Sequence, residues 1–305
     1  MRKPMTPLVY SPMASRKLGV NVYLKRDDLY PISGGGNKGR KAEYILSKCL
    51  SDGCNAVVTC GGLQSNHVRA TAIKCRELGI ECTIVIHSSP VSRSTGNLKL
   101  LELLGVNVVY CEMSDVSDVM DREMDRFKSN GLTPFYIWGG GHSYEGTLAF
   151  FDAVKEVECQ SDVDFDSVFV ASGTGATQAG LHCGFKSFFP KTKVYGISVA
   201  REQARGTEAV RQSVEEFIEK YGLDKAYSND IFFTDRYHFG GYEKSSELLT
   251  SKVIEVARST GIVLDPTYTG KAWFGMEDMI KSGNYTSQSN VLFWHTGGLL
   301  NLMAC

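Results

Sequence analysis

The chain has 305 residues, of which 43% are hydrophobic and 22% charged, and its formal net charge is −1. This balance is ordinary for a globular protein and gives no reason to expect a nucleic acid or an anionic membrane as a partner. No apolar run approaches the roughly 20 residues that span a bilayer. The first apolar stretch is broken by Pro7 and Pro12, so we expect neither a membrane segment nor a signal peptide.

Strand-like and helix-like segments alternate along almost the whole chain. Strands are predicted at residues 20–25, 56–60, 81–86, 106–110, 134–138, 167–171, 193–199, 263–264 and 291–294. Helices are predicted from the glycine run at 34–36 to residue 50, and at 66–78, 96–104, 115–129, 144–159, 175–188, 203–221 and 242–260. This alternation predicts an α/β protein with mainly parallel sheets and with ligands at the carboxyl ends of the strands. The length favours about two domains.

The first candidate motif is the run of three glycines, Gly34 to Gly36, which leads through Asn37 to Lys38 at the start of a helix. Such a turn lets the backbone approach a ligand, and the lysine is placed to meet a carbonyl or a phosphate. A glycine-rich turn with a solvated lysine fits equally well. The stretch also matches G-x-G-x-x-G, but eight loop residues separate it from the strand, and no acid follows near Cys60, which argues against a dinucleotide site.

The second motif follows the strand at 56–60 and contains Gln64, Ser65 and Asn66. These short polar side chains stand beside the free N–H groups of a helix start, a setting that suits a carboxylate. Helix capping by Ser65 or Asn66 is the alternative, but capping explains one polar residue more easily than a run of them.

The third motif, Gly173-Thr174-Gly175-Ala176-Thr177, directly follows the strand at 167–171. Small residues leave the backbone N–H groups accessible, and hydroxyls add donors for a phosphate at a helix N-terminus. A tight strand-to-helix turn without a ligand remains possible. Two further motifs follow short apolar strands. They are D-P-T-Y-T-G-K at 265–271 and H-T-G-G-L at 295–299. Tyr268 in the first of them either takes part in catalysis or packs against its neighbours.

A lysine behind glycines, a phosphate cradle and several hydroxyls suggest pyridoxal 5′-phosphate (PLP), which a lysine holds as a Schiff base and whose ring serves as an electron sink. The histidines lack metal-ligand spacing and the cysteines form no cluster, so we expect no metal site. Nine scattered cysteines without a C-x-x-C pair favour reduced thiols and a cytoplasmic protein.

Five motifs now stand in one order: G-G-N-K-x-R-K, G-G-x-Q-S-N, T-G-x-T-Q-A-G, D-P-x-Y-T-G-K-A and H-T-G-G. In this order they resemble the family of D-cysteine desulfhydrases and 1-aminocyclopropane-1-carboxylate (ACC) deaminases, and the resemblance covers essentially the whole chain. It implies PLP fold type II, similar to tryptophan synthase β, with two open, twisted, mostly parallel sheet domains. It also implies a large PLP-binding domain of residues 1–43 and 146–305 and a small domain of residues 44–145 that closes over the substrate.

The same resemblance implies roles for individual residues, with Lys38 as the Schiff-base lysine and Asn66 as the partner of the ring oxygen. The implied catalytic residues are Lys38, Ser65, Tyr242 and Tyr268. The implied cofactor-binding residues are Lys38, Lys41, Asn66, Gly173, Thr174, Gly175, Ala176, Thr177, Thr269 and Thr296. The implied substrate-binding residues are Gln64, Ser65 and Asn66.

Thr269 and Thr296 distinguish between the two activities of this family. The resemblance implies that position 269 faces the pyridine nitrogen, where ACC deaminases carry a glutamate that keeps this nitrogen protonated. Thr296 follows the H-T-G-G of the desulfhydrases. We therefore expect α,β-elimination from D-cysteine or a related small amino acid. The resemblance also implies a homodimer. The alternatives are ACC deamination and binding of PLP or an amino acid without catalysis. A reaction on another β-substituted or non-protein amino acid is a further alternative, because residues 237–245 and Gly39 depart from the family pattern.

Overall fold

The computed structural model describes residues 3–304, which form ten β-strands and eleven α-helices. The strands are β1 (Leu8–Tyr10), β2 (Asn21–Lys25), β3 (Ala56–Gly61), β4 (Glu81–His87), β5 (Asn107–Cys111), β6 (Pro134–Ile137), β7 (Ser167–Ser172), β8 (Lys193–Ser198), β9 (Phe232–Thr234) and β10 (Asn290–Trp294). The helices are α1 (Pro12–Leu18), α2 (Asn37–Ser51), α3 (Asn66–Leu78), α4 (Gly96–Leu104), α5 (Val116–Ser129), α6 (Tyr144–Gln160), α7 (Ala176–Phe188), α8 (Gln203–Tyr221), α9 (Glu247–Thr260), α10 (Thr269–Ser282) and α11 (Leu299–Leu302).

The described chain divides into two compact units. The larger contains the residues up to Asn37 together with Thr147–Leu299, and the smaller contains Lys38–Gly146 together with the residues from Leu300 onwards. The predicted boundaries stand at 43/44 and 145/146, whereas the units change at 37/38, 146/147 and 299/300. Cofactor binding by one domain and closure over the substrate by the other stay predictions.

The larger unit is built on a six-stranded sheet in the order β1-β2-β10-β7-β8-β9. Only β1 is antiparallel to its neighbour; the other pairs are parallel. The central strands β7 and β10 are continuous apolar runs, and Val168, Phe169, Leu292 and Phe293 are completely buried. Such runs are typical of parallel strands whose two faces are both covered. The third and fifth motifs begin at the carboxyl ends of these two strands.

The smaller unit is built on a four-stranded, all-parallel sheet in the order β5-β4-β3-β6. Its core combines apolar residues of the central strands, such as Val57 and Ile84, with Ile45 and Leu46 of α2 and Val68 of α3. The second motif begins at the carboxyl end of β3. The predicted α/β class with mostly parallel sheets is therefore confirmed in both units.

One predicted strand is absent, and one predicted helix begins later than expected. Residues 263–264 form no strand. The helix predicted at 242–260 begins only at Glu247, because the Ser246 hydroxyl caps it by accepting the N–H of Leu249 at 3.2 Å. The sequence reading also missed β1, β9, α1, α10 and α11, of which the two strands are only three residues long and lie at the edges of the sheet.

Two further observations concern the chain as a whole. No helix among residues 3–304 is long and apolar enough to cross a bilayer. Eight cysteines are free thiols, and the ninth, Cys305, lies outside the described residues.

Gly180 sets how closely α6 and α7 pack. A Cβ atom on Gly180 would lie 2.2 Å from the Thr147 carbonyl oxygen and 2.6 Å from the Phe150 Cβ. We expect Gly180→Ala to lower the free energy of unfolding by about 1–3 kcal/mol, because the packed helices must move apart. Gly139→Ala is the matched control, since its Cβ would meet nothing nearer than 3.6 Å. Equal urea midpoints for the two variants would contradict this interpretation.

Candidate functional site

The glycine turn and the H-T-G-G loop are in contact within the larger unit. The Asn37 N–H donates to the Thr296 carbonyl at 3.0 Å, and the Gly36 N–H donates to the Asp27 carbonyl at 2.9 Å. A Cβ atom on Gly297, whose φ is +96°, would lie 2.7 Å from the Gly36 Cα. The first residue of α2 is therefore fixed by backbone contacts immediately before Lys38. The Thr296 side chain is buried.

The phosphate-cradle motif is linked to the same turn. The Asn37 side-chain amide donates to the Thr177 hydroxyl at 3.2 Å. Helix α7 begins after Gly175, has no side-chain cap and carries no acid in its first turn, so its first N–H groups are available to an anion. The buried Ser172 hydroxyl at the end of β7 has no hydrogen-bond partner within residues 3–304. These free donors fit a phosphate group.

Tyr242 and Tyr268 form a hydroxyl pair, with their oxygens 2.7 Å apart. Burial raises the pKa of Tyr242 to about 12, and burial together with the neighbouring Tyr242 raises the pKa of Tyr268 well above its ordinary value. Both side chains are therefore neutral phenols at neutral pH. They can donate a hydrogen bond or a proton, but they are poor bases there.

Thr269 is held by Asp265 at the start of α10. Its hydroxyl donates to Asp265 Oδ1 at 2.7 Å and accepts the Asp265 backbone N–H at 2.9 Å. Burial raises the pKa of Asp265, although four hydrogen bonds from residues 267–269 to its carboxylate oppose this shift. A ring nitrogen at Thr269 would therefore compete with Asp265 for the hydroxyl hydrogen. The sequence reading quoted Asp265 within its motif and gave it no role.

In the smaller unit, Lys38 and Lys41 share one acceptor. Their ammonium groups donate to the Gly140 carbonyl at 3.0 and 3.4 Å. Loss of hydration lowers the pKa of Lys38 to about 8, and burial together with the charge of Lys38 lowers the pKa of Lys41 well below its usual value. Neither lysine has a carboxylate partner in the part of the chain that the structure describes. A neutral Lys38 amine is therefore accessible near neutral pH, as a nucleophile for a carbonyl requires.

His67 lies close enough to both lysines to respond to their charge. The Thr59 hydroxyl donates to the Ile137 carbonyl at 2.8 Å, and His67 Nε2 lies 2.8 Å from the same hydroxyl oxygen. Because a carbonyl can only accept, Nε2 carries the hydrogen and Nδ1 of the neutral ring is an acceptor. Burial, then the charges of Lys38 and Lys41, lower the pKa of His67 well below its ordinary value. The sequence reading gave His67 no role.

Asn66 is oriented by a series of side-chain hydrogen bonds that begins at Arg69. The Arg69 Nε–H, which can only donate, fixes the Asn97 oxygen at 2.7 Å, so the Asn97 amide nitrogen faces the Asn66 oxygen at 3.0 Å. The Asn66 amide nitrogen is then left to donate elsewhere, as a bond to a ring oxygen requires. The sequence reading missed Asn97, because nothing near position 97 resembles a motif.

The other two residues of the second motif have local roles in the structure. The Ser65 hydroxyl accepts the Val68 N–H at 3.4 Å and caps α3. The Gln64 oxygen accepts the Asn97 backbone N–H at 2.8 Å, and its nitrogen donates to the Thr95 carbonyl at 3.1 Å. Because both ends of this amide are engaged, we propose that Gln64 holds the loop in place and does not bind the substrate itself.

The predicted site residues therefore fall into two groups. Gly173–Thr177, Tyr242, Tyr268, Thr269 and Thr296 belong to the larger unit, and Lys38, Lys41, Gln64, Ser65 and Asn66 belong to the smaller one. Within the larger unit the structure brings the cradle to Asn37 and pairs the two tyrosines. Within the smaller unit it joins Lys38 to Lys41.

Comparison with known proteins gives a consistent result over nearly the whole chain. A family model described as "Pyridoxal-phosphate dependent enzyme" matches residues 3–297. A D-cysteine desulfhydrase of Klebsiella pneumoniae is 35% identical over 311 residues, which cover 98% of this chain and 93% of the relative.

Two solved structures extend the comparison. A structure described as an ACC deaminase homologue is 35% identical, with a TM-score of 0.89, and the match covers 97% of this chain and 90% of that one. A threonine deaminase of Solanum lycopersicum has a TM-score of 0.68 at 18% identity, with 96% of this chain and 83% of the other covered. The second similarity concerns the fold alone.

The lowered pKa of Lys38 has a direct chemical consequence in the cofactor-free protein. Only the neutral amine reacts with an acylating reagent, so we expect labelling of Lys38, followed by mass spectrometry, to rise with a midpoint of about pH 8. A midpoint near the ordinary lysine pKa of about 10.4 would contradict the loss of hydration at this position.

The lowered pKa of His67 links stability to pH. Below the unfolded-state pKa of about 6.5, the unfolded chain binds a proton that the folded protein does not, so stability falls as the pH falls. We expect His67→Gln to reduce this dependence by up to about 1.4 kcal/mol per pH unit between about pH 5 and 6. Urea unfolding across this range measures the slope. An unchanged slope would show that His67 is protonated in the folded protein.

Proposed function

Because the chain belongs to the family of pyridoxal-phosphate-dependent enzymes, we propose that it catalyses α,β-elimination from D-cysteine or from a related small amino acid with a leaving group on its β-carbon. Its cofactor is PLP, and its fold is that of the fold type II enzymes. D-Cysteine and one water would give pyruvate, ammonia and hydrogen sulfide. The proposed enzyme is therefore a carbon–sulfur lyase.

The observation that carries this proposal is the neutral side chain of Thr269. The resemblance assigns this position to the ring nitrogen, and the Thr269 hydroxyl already donates to Asp265 at 2.7 Å. A neutral, engaged hydroxyl does not hold a ring nitrogen protonated as a carboxylate would. Opening a cyclopropane needs the stronger electron withdrawal, whereas elimination has a good leaving group and needs less. Thr269 therefore supports elimination over ring opening.

The residues present fit the cofactor. The first N–H groups of α7 and the buried Ser172 hydroxyl would hold the phosphate, and the Asn66 amide nitrogen would donate to the ring oxygen. The Lys38 amine, with its pKa of about 8, would bind the aldehyde carbon. When bound, PLP supplies an electron sink for the charge that remains on the α-carbon after proton removal.

We assign proton removal from the α-carbon to Lys38. A general base works best when its pKa lies near the working pH, and the pKa of Lys38 is about 8. The two tyrosines are disfavoured as bases because their pKa values are raised. As neutral phenols they suit a different task, hydrogen-bond donation to the departing thiolate sulfur.

Substrate orientation is the proposed role of Ser65 and Asn66. Ser65 lies at the N-terminus of α3, where hydroxyl and backbone donors suit a carboxylate. The Ser65 oxygen accepts the Val68 N–H, and its own hydrogen is then available for the substrate. Gln64 and Asn97 would keep this loop in place through the bonds between them.

ACC deamination is the second candidate, because the solved relative with the TM-score of 0.89 is described as an ACC deaminase homologue. We also retain the proposals of a homodimer, which rests on the family resemblance, and of a cytoplasmic location, which rests on the scattered free thiols.

The test measures sulfide released from D-cysteine by the PLP-loaded protein, with L-cysteine and ACC assayed in parallel. We expect sulfide from the D-isomer and little ammonia from ACC. Lys38→Ala should abolish both turnover and the visible absorbance of the lysine-bound cofactor, whereas Lys48→Ala, an exposed position on the same helix, should change neither. Efficient ACC turnover would overturn the choice of reaction, and surviving absorbance in Lys38→Ala would overturn the assignment of the lysine.

A further inference from the structure

The buried lysine of the fourth motif, Lys271, contacts three backbone carbonyls. Its side chain is completely buried. Its ammonium group donates to the carbonyls of Gly241 at 2.7 Å, His238 at 2.9 Å and Val199 at 3.3 Å. Val199 follows β8, and the other two acceptors belong to the turn that precedes Tyr242. One side chain of α10 therefore joins a strand end to this turn.

The number of donors matches the number of acceptors. An ammonium group has three N–H donors and no acceptor, and it meets three carbonyl oxygens here. The His238 and Gly241 carbonyls each accept one further backbone N–H, from Gly241 at 3.1 Å and from Lys244 at 3.2 Å. A neutral amine has only two N–H donors, so it could not bond all three carbonyls, and a loss at Val199 would leave that carbonyl without a partner among the described residues, which is unfavourable. The arrangement therefore fits the charged form of Lys271.

The backbone of the turn needs external support. Phe239, Gly240, Gly241 and Glu243 have φ values of 51°, 88°, 116° and 57°. Two of these four residues are not glycine, and their left-handed backbone is held only where surrounding contacts enforce it. On one side of the turn, the Phe239 ring packs edge-on against Phe274 of α10 with the ring centroids 5.2 Å apart. The ammonium of Lys271 holds the carbonyls of the turn.

We propose that Lys271 is a positioning residue: its ammonium serves as a built-in cation that organises residues 238–241 and thereby keeps the Tyr242 hydroxyl against Tyr268. The importance of this tyrosine pair in catalysis rests on the proposed function; the effect of Lys271 on the turn does not. Burial lowers the pKa of Lys271 to about 8, and the nearby Asp265 carboxylate opposes that shift, so the charged form predominates at neutral pH.

Hydrogen exchange in the substrate-free protein tests the proposal without any assay of activity. In Lys271→Met, which keeps the length and apolar stem of the side chain, we expect amides of residues 238–243 to exchange about tenfold faster or more, with α7 still protected. The control is Lys220→Met, which removes the same charge from an exposed position on α8 and should leave the turn protected. Wild-type protection of the turn in Lys271→Met would overturn the proposal, as would equal loss of protection throughout α7.

A second variant and a second measurement cover the case in which Lys271→Met does not fold. Lys271→Gln keeps two N–H donors without the charge, and we expect intermediate exchange in the turn. Burial raises the pKa of Tyr242 in the wild type, and in either variant we expect that pKa to fall, because the loosened turn exposes the phenol further; spectrophotometric titration, taken as the difference from the same protein with Tyr242→Phe, measures it. A Tyr242 titration that stays at the wild-type value in both variants would contradict a role in positioning.

Turnover separates this proposal from the proposed function. If both hold, Lys271→Met and Tyr242→Phe each lower kcat for D-cysteine by about tenfold, and the double variant loses little more, because the two act through one group. If Tyr242→Phe keeps wild-type turnover, the role of the tyrosine pair in catalysis is wrong. The exchange and titration results would still decide whether Lys271 holds the turn.

Discussion

The arrangement of the candidate site in the larger unit depends most on the backbone contact between the glycine turn and the H-T-G-G loop. The Asn37 N–H is held by the Thr296 carbonyl at 3.0 Å, and Gly297 lies against Gly36 without room for a side chain. Through its amide, Asn37 also reaches the cradle residue Thr177. Asn37, which precedes Lys38, is thus tied to the H-T-G-G loop after β10 and to the first turn of α7 after β7, at the carboxyl ends of neighbouring strands. Backbone geometry, more than any side-chain charge, therefore fixes the position of the chain immediately before Lys38.

Burial then changes the pKa values of two lysines and two tyrosines in opposite directions. Lys38 and Lys41 share one carbonyl and lose hydration, which favours a neutral amine, whereas Tyr242 and Tyr268 become weaker acids through burial. The same physical cause, desolvation, opposes charge on both kinds of group. It brings an amine toward neutral pH and keeps a phenol protonated. In the proposed mechanism, proton acceptance and hydrogen-bond donation therefore belong to different side chains.

Helices and strands were predicted correctly from the sequence where the residues that determine them are close together in the chain. Helix α3 matches its predicted range because Ser65 caps its start and Gly79 ends it in a left-handed conformation, and both signals are readable from the chain. The buried strands were predicted from continuous apolar runs. The roles of Lys271, His67 and Asn97 were not predicted, because each rests on partners distant in sequence, such as the Gly241 carbonyl or Arg69. The helix predicted at 242–260 begins only at Glu247, because Glu243 has a left-handed backbone that the sequence does not reveal.

The close approach of Gly36 and Gly297 also has a consequence for how this sequence can change over time. A methyl group at position 297 would overlap the backbone at position 36, and the φ of both residues is positive, at 100° and 96°. Position 297 cannot accept a side chain while the backbone at position 36 stays where it is, whatever residue stands there. Divergent copies of this gene should therefore keep glycine at position 297 as long as the two loops remain in contact. That constraint would persist even in descendants that have changed their substrate, because it reflects backbone packing and not the chemistry of the reaction.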